Sequence, residues 1–350
     1  MGPGGRSGAK LFAVRIALIA PPWTPIPPLL YGGIELVVDQ LATGFQRSGH
    51  EVLLFTTADS TCPVPRAFAL AHAEGERIGM AVPEMRHVMA AYEAVQDFDI
   101  VHDHTIMGPV YAERYPDLKV VTTIHGPFNE ELTDLYGRIA ARVPVIAISH
   151  AQHRAGPQIP IARVIHHGLV AGDFPVGAGD GGYCLFLGRM SRDKGAHRAT
   201  EAAYKAGRPL ILAGKMREPW EHQYFDTYVR PYLNHEIRYV GEVGHDEKLR
   251  LLAGAQALLF PIRWNEPFGM VMVEAMACGT PVLAFPEGAA PEVVVDGTTG
   301  FLCHDVNDMA DAIGRLGSLD RAACRAAIEG YFSCDRMVAE HLDLFERLIG

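Results

Sequence analysis

Two glutamates eight residues apart, Glu266 and Glu274, are the carboxylates best placed to do chemistry in this sequence. They lie in the stretch Glu266-Pro-Phe-Gly-Met-Val-Met-Val-Glu274-Ala-Met-Ala-Cys-Gly279-Thr-Pro-Val-Leu-Ala284. Residues Phe268 to Cys278 are good helix formers, Pro267 suits a first turn, Gly279 supplies a stop, and Val282 to Ala284 read as a buried strand. This places Glu266 just outside a helix and Glu274 about two turns inside it. A helix N-terminus between them turns free N–H groups toward phosphate or sugar oxygens. Glu274 could then take the two hydroxyls of a ribose and Glu266 those of a second sugar. A glutamate early in a helix ordinarily just complements the dipole, and one in mid-helix is ordinarily solvated. Here Met270, Val271, Val273, Met276 and Ala277 make the helix apolar on most faces, so Glu274 has little solvated face to occupy and should point into a site.

Cations of the right kind occur in Gly188-Arg189-Met-Ser-Arg-Asp-Lys194-Gly195, which follows the strand-like run Tyr183 to Leu187. Arginine offers phosphate a fork and lysine a point charge, a pairing suited to a diphosphate, although such a pair is often plain surface charge. Gly32-Gly33 precedes a helical pattern with apolar residues at 34, 37, 38, 41 and 45, and is either turn chemistry or a phosphate contact. His102-Asp103-His104 and His125 each follow a run read as a strand, which suggests a ligand crevice; no further run of ligands accompanies them to make a metal site.

The motifs resemble those of the GT4 family of retaining glycosyltransferases, which have the GT-B fold. Glu-x7-Glu with its Pro-Phe-Gly, the following Ala-x-Ala-x-Gly-x-Pro-Val, and Gly-Arg-x-x-x-x-Lys-Gly all match, and similarity runs from Arg15 nearly to the C-terminus. The resemblance implies that Glu266 contacts the donor sugar, Glu274 the nucleotide ribose, and Arg189 and Lys194 the diphosphate. It implies that Gly32 and Gly33 approach the diphosphate and that His125 lies between donor and acceptor. It places Phe268, Gly269 and Met270 at the donor, with Val243 and Lys215 near the base or phosphate. His166-His167-Gly168-Leu169-Val170 departs from the family's Asn-Gly-Val-Asp, with His167 for Asn and Val170 for Asp.

The 350 residues suffice for about two domains. The expected fold class is α/β, two Rossmann-like βαβ domains facing each other across a cleft, with a C-terminal helix crossing back. The expected division is a flexible extension over 1–14, an acceptor-side domain over 15–169 plus 334–350, and a donor-binding domain over 170–333. Arg15 interrupts the apolar run from Leu11 to Ala20, so the start reads as an extension and not a secretory leader. A net charge of −10 with no basic run argues against a nucleic-acid partner, and no stretch is apolar enough to span a membrane. Six scattered cysteines, with no Cys-x-x-Cys, read as buried reduced thiols of a cytoplasmic protein.

The expected activity is metal-independent sugar transfer without a cofactor. The donor would be a UDP-, GDP- or dTDP-linked sugar, and the acceptor a sugar, a lipid-linked sugar or a natural product. The rivals are a glycoside hydrolase using the two glutamates as its acid and nucleophile, a nucleotide-sugar epimerase on the same fold, and a catalytically silent sugar-nucleotide-binding protein.

Overall fold

The computed structural model describes residues 13–30 and 32–350; all but the last two residues of the extension expected over 1–14 lie outside them. Two parallel sheets organise the chain. The first contains β1 (Arg15–Ile19), β2 (Glu51–Thr56), β3 (Arg66–Phe68), β4 (Ile100–Asp103), β5 (Val120–Thr123), β6 (Val145–Ala147) and β7 (Ile161–Val164), in the order β3-β2-β1-β4-β5-β6-β7. The second contains β8 (Cys184–Leu187), β9 (Leu210–Ala213), β10 (Ile237–Tyr239), β11 (Ala257–Phe260), β12 (Val282–Ala284) and β13 (Gly300–Leu302), in the order β10-β9-β8-β11-β12-β13. Their apolar runs suit burial on both faces: Ile16 to Ile19 and Leu258 to Phe260 are buried, with helices packed over them. Because every strand pairs parallel, the loops at the C-terminal ends share one edge of each sheet, and most candidate residues lie on those loops or at the starts of the helices that follow them.

The chain passes from the first sheet to the second after Leu169 and returns beside that point. Leu169 N–H donates to Phe332 O at 2.8 Å, and Cys334 N–H donates to Leu169 O at 2.9 Å. The final helix, Cys334–Ile349, is capped by the Ser333 hydroxyl and lays Val338, Leu344 and Phe345 against Leu41 and Phe45 of the first helix, Gly33–Arg47. It therefore joins the first sheet's core, as the crossing-back helix of the sequence reading requires.

Three boundaries differ from those the sequence suggests. The helix after Glu266 spans Met270–Ala277, because Gly269 has φ +85° and cannot be helical; Pro267 lies in the loop. Glu274 is thus its fifth residue, closer to the start than expected. β4 continues through His102 and Asp103, which the sequence reading placed beyond the strand. These polar groups tolerate burial because His102 Nε2 lies 2.7 Å from Thr123 Oγ1, while Asp103 accepts from Thr105 and Tyr92. The sequence pattern also predicts a helix around Met85 to Ala94; it begins earlier, at Ala81, with Pro83 in its first turn.

Candidate functional site

Lys194 and Glu266 come from loops after different strands, β8 and β11. Arg263 N–H donates to Asp193 O at 2.9 Å and Arg198 Nε to Pro261 O at 2.6 Å, which fastens the two loops together. Gly195 completes the join: it has φ +82°, and a Cβ there would lie 2.3 Å from Pro261 O. In that setting Lys194 Nζ donates to Glu266 Oε2 and sits 4.6 Å from the centre of the Trp264 ring. Trp264 Nε1 donates to the same carboxylate oxygen at 2.8 Å. Glu266 is buried, so its charge is met by a cation and a neutral donor together. No motif in the sequence marks Trp264, although it lies two residues before Glu266.

Glu274 is also buried. It accepts from Lys248 Nζ at 2.6 Å, a lysine on the neighbouring helix His245–Gly254. The apolar faces of its own helix leave only that direction for a charge. Phe268 is a core residue: its ring meets His167 at 5.0 Å and Phe332 at 6.2 Å between centroids, so only its backbone is left to face a ligand. Met270, at the helix start, reaches the other domain. A Cβ on Gly33 would stand 3.5 Å from Met270 Cγ, so the N-termini of two helices from different domains approach each other here.

Gly32 caps the first helix in an extended conformation, with Glu35 close by; a Cβ on Gly32 would meet Glu35 Oε2 at 2.8 Å. Burial raises the pKa of Glu35, opposed by its own backbone N–H, the Thr24 hydroxyl and the charge of Lys215 in the second domain. Glu35, which no motif in the sequence marks, thus lies beside the candidate residues Gly32 and Lys215.

Arg189 stands apart from the Lys194–Glu266 contact. Its Nε lies 3.5 Å from Glu221 Oε1, its other end 3.8 Å from Asp193, and its guanidinium 5.5 Å from the Trp220 ring. Glu221 is committed to capping its own helix, Pro219–Tyr228, through the N–H groups of Arg217 and Glu218. The half-exposed Arg189 is thus held loosely. Val243 lies after β10 in the loop before the helix that carries Lys248, and packs on the second domain's core.

His125 follows β5 and is partly exposed. Its Nε2 lies 2.9 Å from His104 Nδ1, and the His167 ring stacks on it at 5.3 Å and 22°. Burial, with His341 adding to it, drives the His125 pKa down to about 3, so the ring is neutral. His102 and His104 continue the row inward to His341, with ring centres 4.0 Å and 5.1 Å apart. The departure at His167 therefore has a structural content: the ring fills the space between His125 and Phe268.

Glu292 of the second domain reaches the first. Its carboxylate accepts from the N–H groups of His150 at 2.9 Å and Ala151 at 2.6 Å, and lies 2.8 Å from His166 Nε2. Burial pushes its pKa up, but those hydrogen bonds outweigh it and the carboxyl stays below its usual range.

Asp97-Phe98-Asp99 has the Asp-x-Asp spacing of some cation-binding motifs, but it precedes β4, at the sheet edge opposite His104 and His125. There Asp99 accepts from Arg15 N–H at 2.7 Å. All six cysteines are unpaired and buried, as their apolar contexts suggest. Among the described residues no helix is long and apolar enough to cross a membrane.

Comparison with known proteins agrees with this fold. Residues 31–169 match the family model described as Glycosyltransferase Family 4, and residues 181–318 that described as Glycosyl transferases group 1. Glycogen synthase of Mycobacterium tuberculosis is 26% identical over 360 residues, which cover 86% of each chain. Among solved structures, AviGT4, a glycosyltransferase involved in avilamycin A biosynthesis, is 26% identical with a TM-score of 0.74 over 96% of this chain and 98% of its own. Anabaena HepE, solved in complex with UDP and glucose, shares the fold at 20% identity, with a TM-score of 0.76 over 95% of this chain and all of its own.

Proposed function

The chain belongs to the group 1 glycosyltransferases of family 4, with the GT-B fold, and from that premise we propose that it is a retaining hexosyltransferase acting on a nucleotide-diphosphate sugar. Transfer takes place where the two sheet edges meet. Lys194 and Glu266 carry this assignment: a cation and a carboxylate, delivered by separate loops, meet beside a helix N-terminus that faces the other domain. A donor brings each of them a partner, a diphosphate for Lys194 and sugar hydroxyls for Glu266. Each carboxylate is held by its own lysine on a different element, which favours transfer over a hydrolase that uses the two as a facing pair.

In the reaction the anomeric C–O bond to the diphosphate breaks and a bond from the acceptor oxygen forms on the same face. The acceptor's proton passes to the departing phosphate oxygen. Charge grows on the diphosphate as its bond breaks, and Lys194, Arg189, the Gly32-Gly33 amides and the N-terminus at Met270 stabilise it there. Glu274, turned with Lys248 toward the nucleotide, takes the ribose. This chain's own cations and amides meet the charge, so chelator leaves turnover unchanged.

The decisive experiment is a metal-free thermal-shift screen against UDP, GDP, ADP and dTDP and their sugars, followed by turnover with the stabilising donor. UDP-glucose is the first donor to try, given the ligands of HepE. Stabilisation that scales with the logarithm of ligand concentration over Kd is the expected result; no shift with any nucleotide would overturn the assignment.

A further inference from the structure

We propose that His104 is a positioning residue that fixes His125 with its proton on Nδ1, so that the ring presents a hydrogen-bond donor to the transferred sugar. The second half of this statement rests on the transferase assignment above; the first does not. His104 Nδ1 and His125 Nε2 face each other at 2.9 Å, so one is N–H and the other a bare lone pair. The other nitrogen of His104, Nε2, is buried and has no hydrogen-bond partner among the described residues. A proton there would be a stranded donor, and buried N–H groups without partners are rarer than underused acceptors. The His104 proton therefore sits on Nδ1 and donates to His125 Nε2. His125 is neutral and has one proton to place, which leaves it on Nδ1.

The neighbouring rings follow the same rule. His341 Nδ1 lies 2.8 Å from Met337 O, a carbonyl that can only accept, and its Nε2 has no partner. His102 bonds Thr123 through Nε2 and has no partner on Nδ1. His104 is itself immobilised: its backbone N–H donates to Ile19 O at 2.9 Å and its ring packs 4.0 Å from that of His102. With His167 stacked on it, His125 has both its plane and its tautomer set from outside.

The test is nuclear magnetic resonance of the full chain labelled with ¹⁵N-histidine, in the wild type, His104→Phe and His104→Asn. Phenylalanine keeps the ring volume without a nitrogen; asparagine keeps an N–H near the Nδ1 position. The expected result is an Nδ1–H tautomer at His125 in the wild type and His104→Asn, and its loss in His104→Phe. Turnover should fall about tenfold in His104→Phe with donor KM unchanged, and recover in His104→Asn, the rate cost of about one hydrogen bond in the transition state. A wild-type His125 protonated on Nε2 overturns the tautomer assignment without any variant having to fold. A tautomer that switches while kcat stays constant overturns the role toward the sugar. Absence of transfer with every donor counts against the transferase assignment alone, since the resonance result stands independently of it.

Discussion

Lys194 and Glu266 satisfy each other while no donor is bound, and that pairing has a consequence for catalysis. On the proposed assignment a bound diphosphate would compete for the ammonium, and the carboxylate it releases would stay oriented by Trp264 Nε1, now at 2.8 Å. Orientation without the lysine is what Glu266 would need in order to accept sugar hydroxyls in that role. Lys194→Met should therefore lower kcat about 100-fold or more, the scale for removing one preorganised charge-stabilising donor. Nucleotide affinity, measured by calorimetry, should fall less, because Arg189 and the amides still hold the diphosphate. A kcat/KM near that of the wild type would remove Lys194 from the clamp. At this scale the sequence was informative about residue types and poor about partners. Glu266 and Lys194 were legible because each follows a strand in a recognisable motif. Their contact, 72 positions apart, was not, nor was the Lys248–Glu274 pair, because such meetings depend on how separate βα units align.

The elements are legible wherever the pattern is apolar and regular: Glu51 to Thr56, Leu210 to Ala213 and Ala257 to Phe260 read as strands and form β2, β9 and β11, and the helical pattern from about Ala196 forms the helix Ala196–Ala206. The misplacements have local causes. Gly269 delays a helix through a backbone conformation, and β4 runs on through polar residues because their partners lie on other segments. Contacts between domains left no periodic signal, and Glu292 is the clearest case. It lies on the short helix Ala290–Val293 yet caps the helix His150–Ala155 of the other domain. Replacing it by alanine removes a charged cap and strands His166 beside Phe268. We expect Glu292→Ala to cost about 1–3 kcal/mol in urea unfolding and to broaden the range of domain separations seen by small-angle scattering. Unchanged unfolding and scattering would show that the contact neither stabilises the chain nor sets the angle between its domains. The carboxylate's pKa is depressed, so its contribution is present above the ordinary glutamate pKa and is lost as pH falls through the folded-state value.

Across the whole molecule, two sheets carry complementary burdens: the second holds the lysines and glutamates assigned to the donor, while the first holds an unusual store of neutral histidine. His87 and His341 have pKa values lowered to about 4, and those of His102, His104 and His167 lie well below the ordinary histidine value, all chiefly through burial. The sign of the linkage follows. Above neutral pH these groups are uncharged in both folded and unfolded chains and add no pH dependence. As pH falls below about 6.5, the unfolded chain takes up protons that the folded chain refuses, so stability drops until the folded-state values are reached. Each such histidine costs about 1.4 kcal/mol per pH unit in that window, and five together approach the net stability of a whole domain. Urea midpoints should therefore fall steeply between pH 7.5 and 5.5, with several protons taken up on unfolding. A variant such as His87→Gln, which keeps a donor for Ala20 O in place of the bond at 2.9 Å, should shed about one proton from that slope. A flat stability profile down to pH 5.5 would mean that the histidine row is open to water and protonates in place, which would also undo the neutral His104–His125 pair on which the tautomer assignment depends.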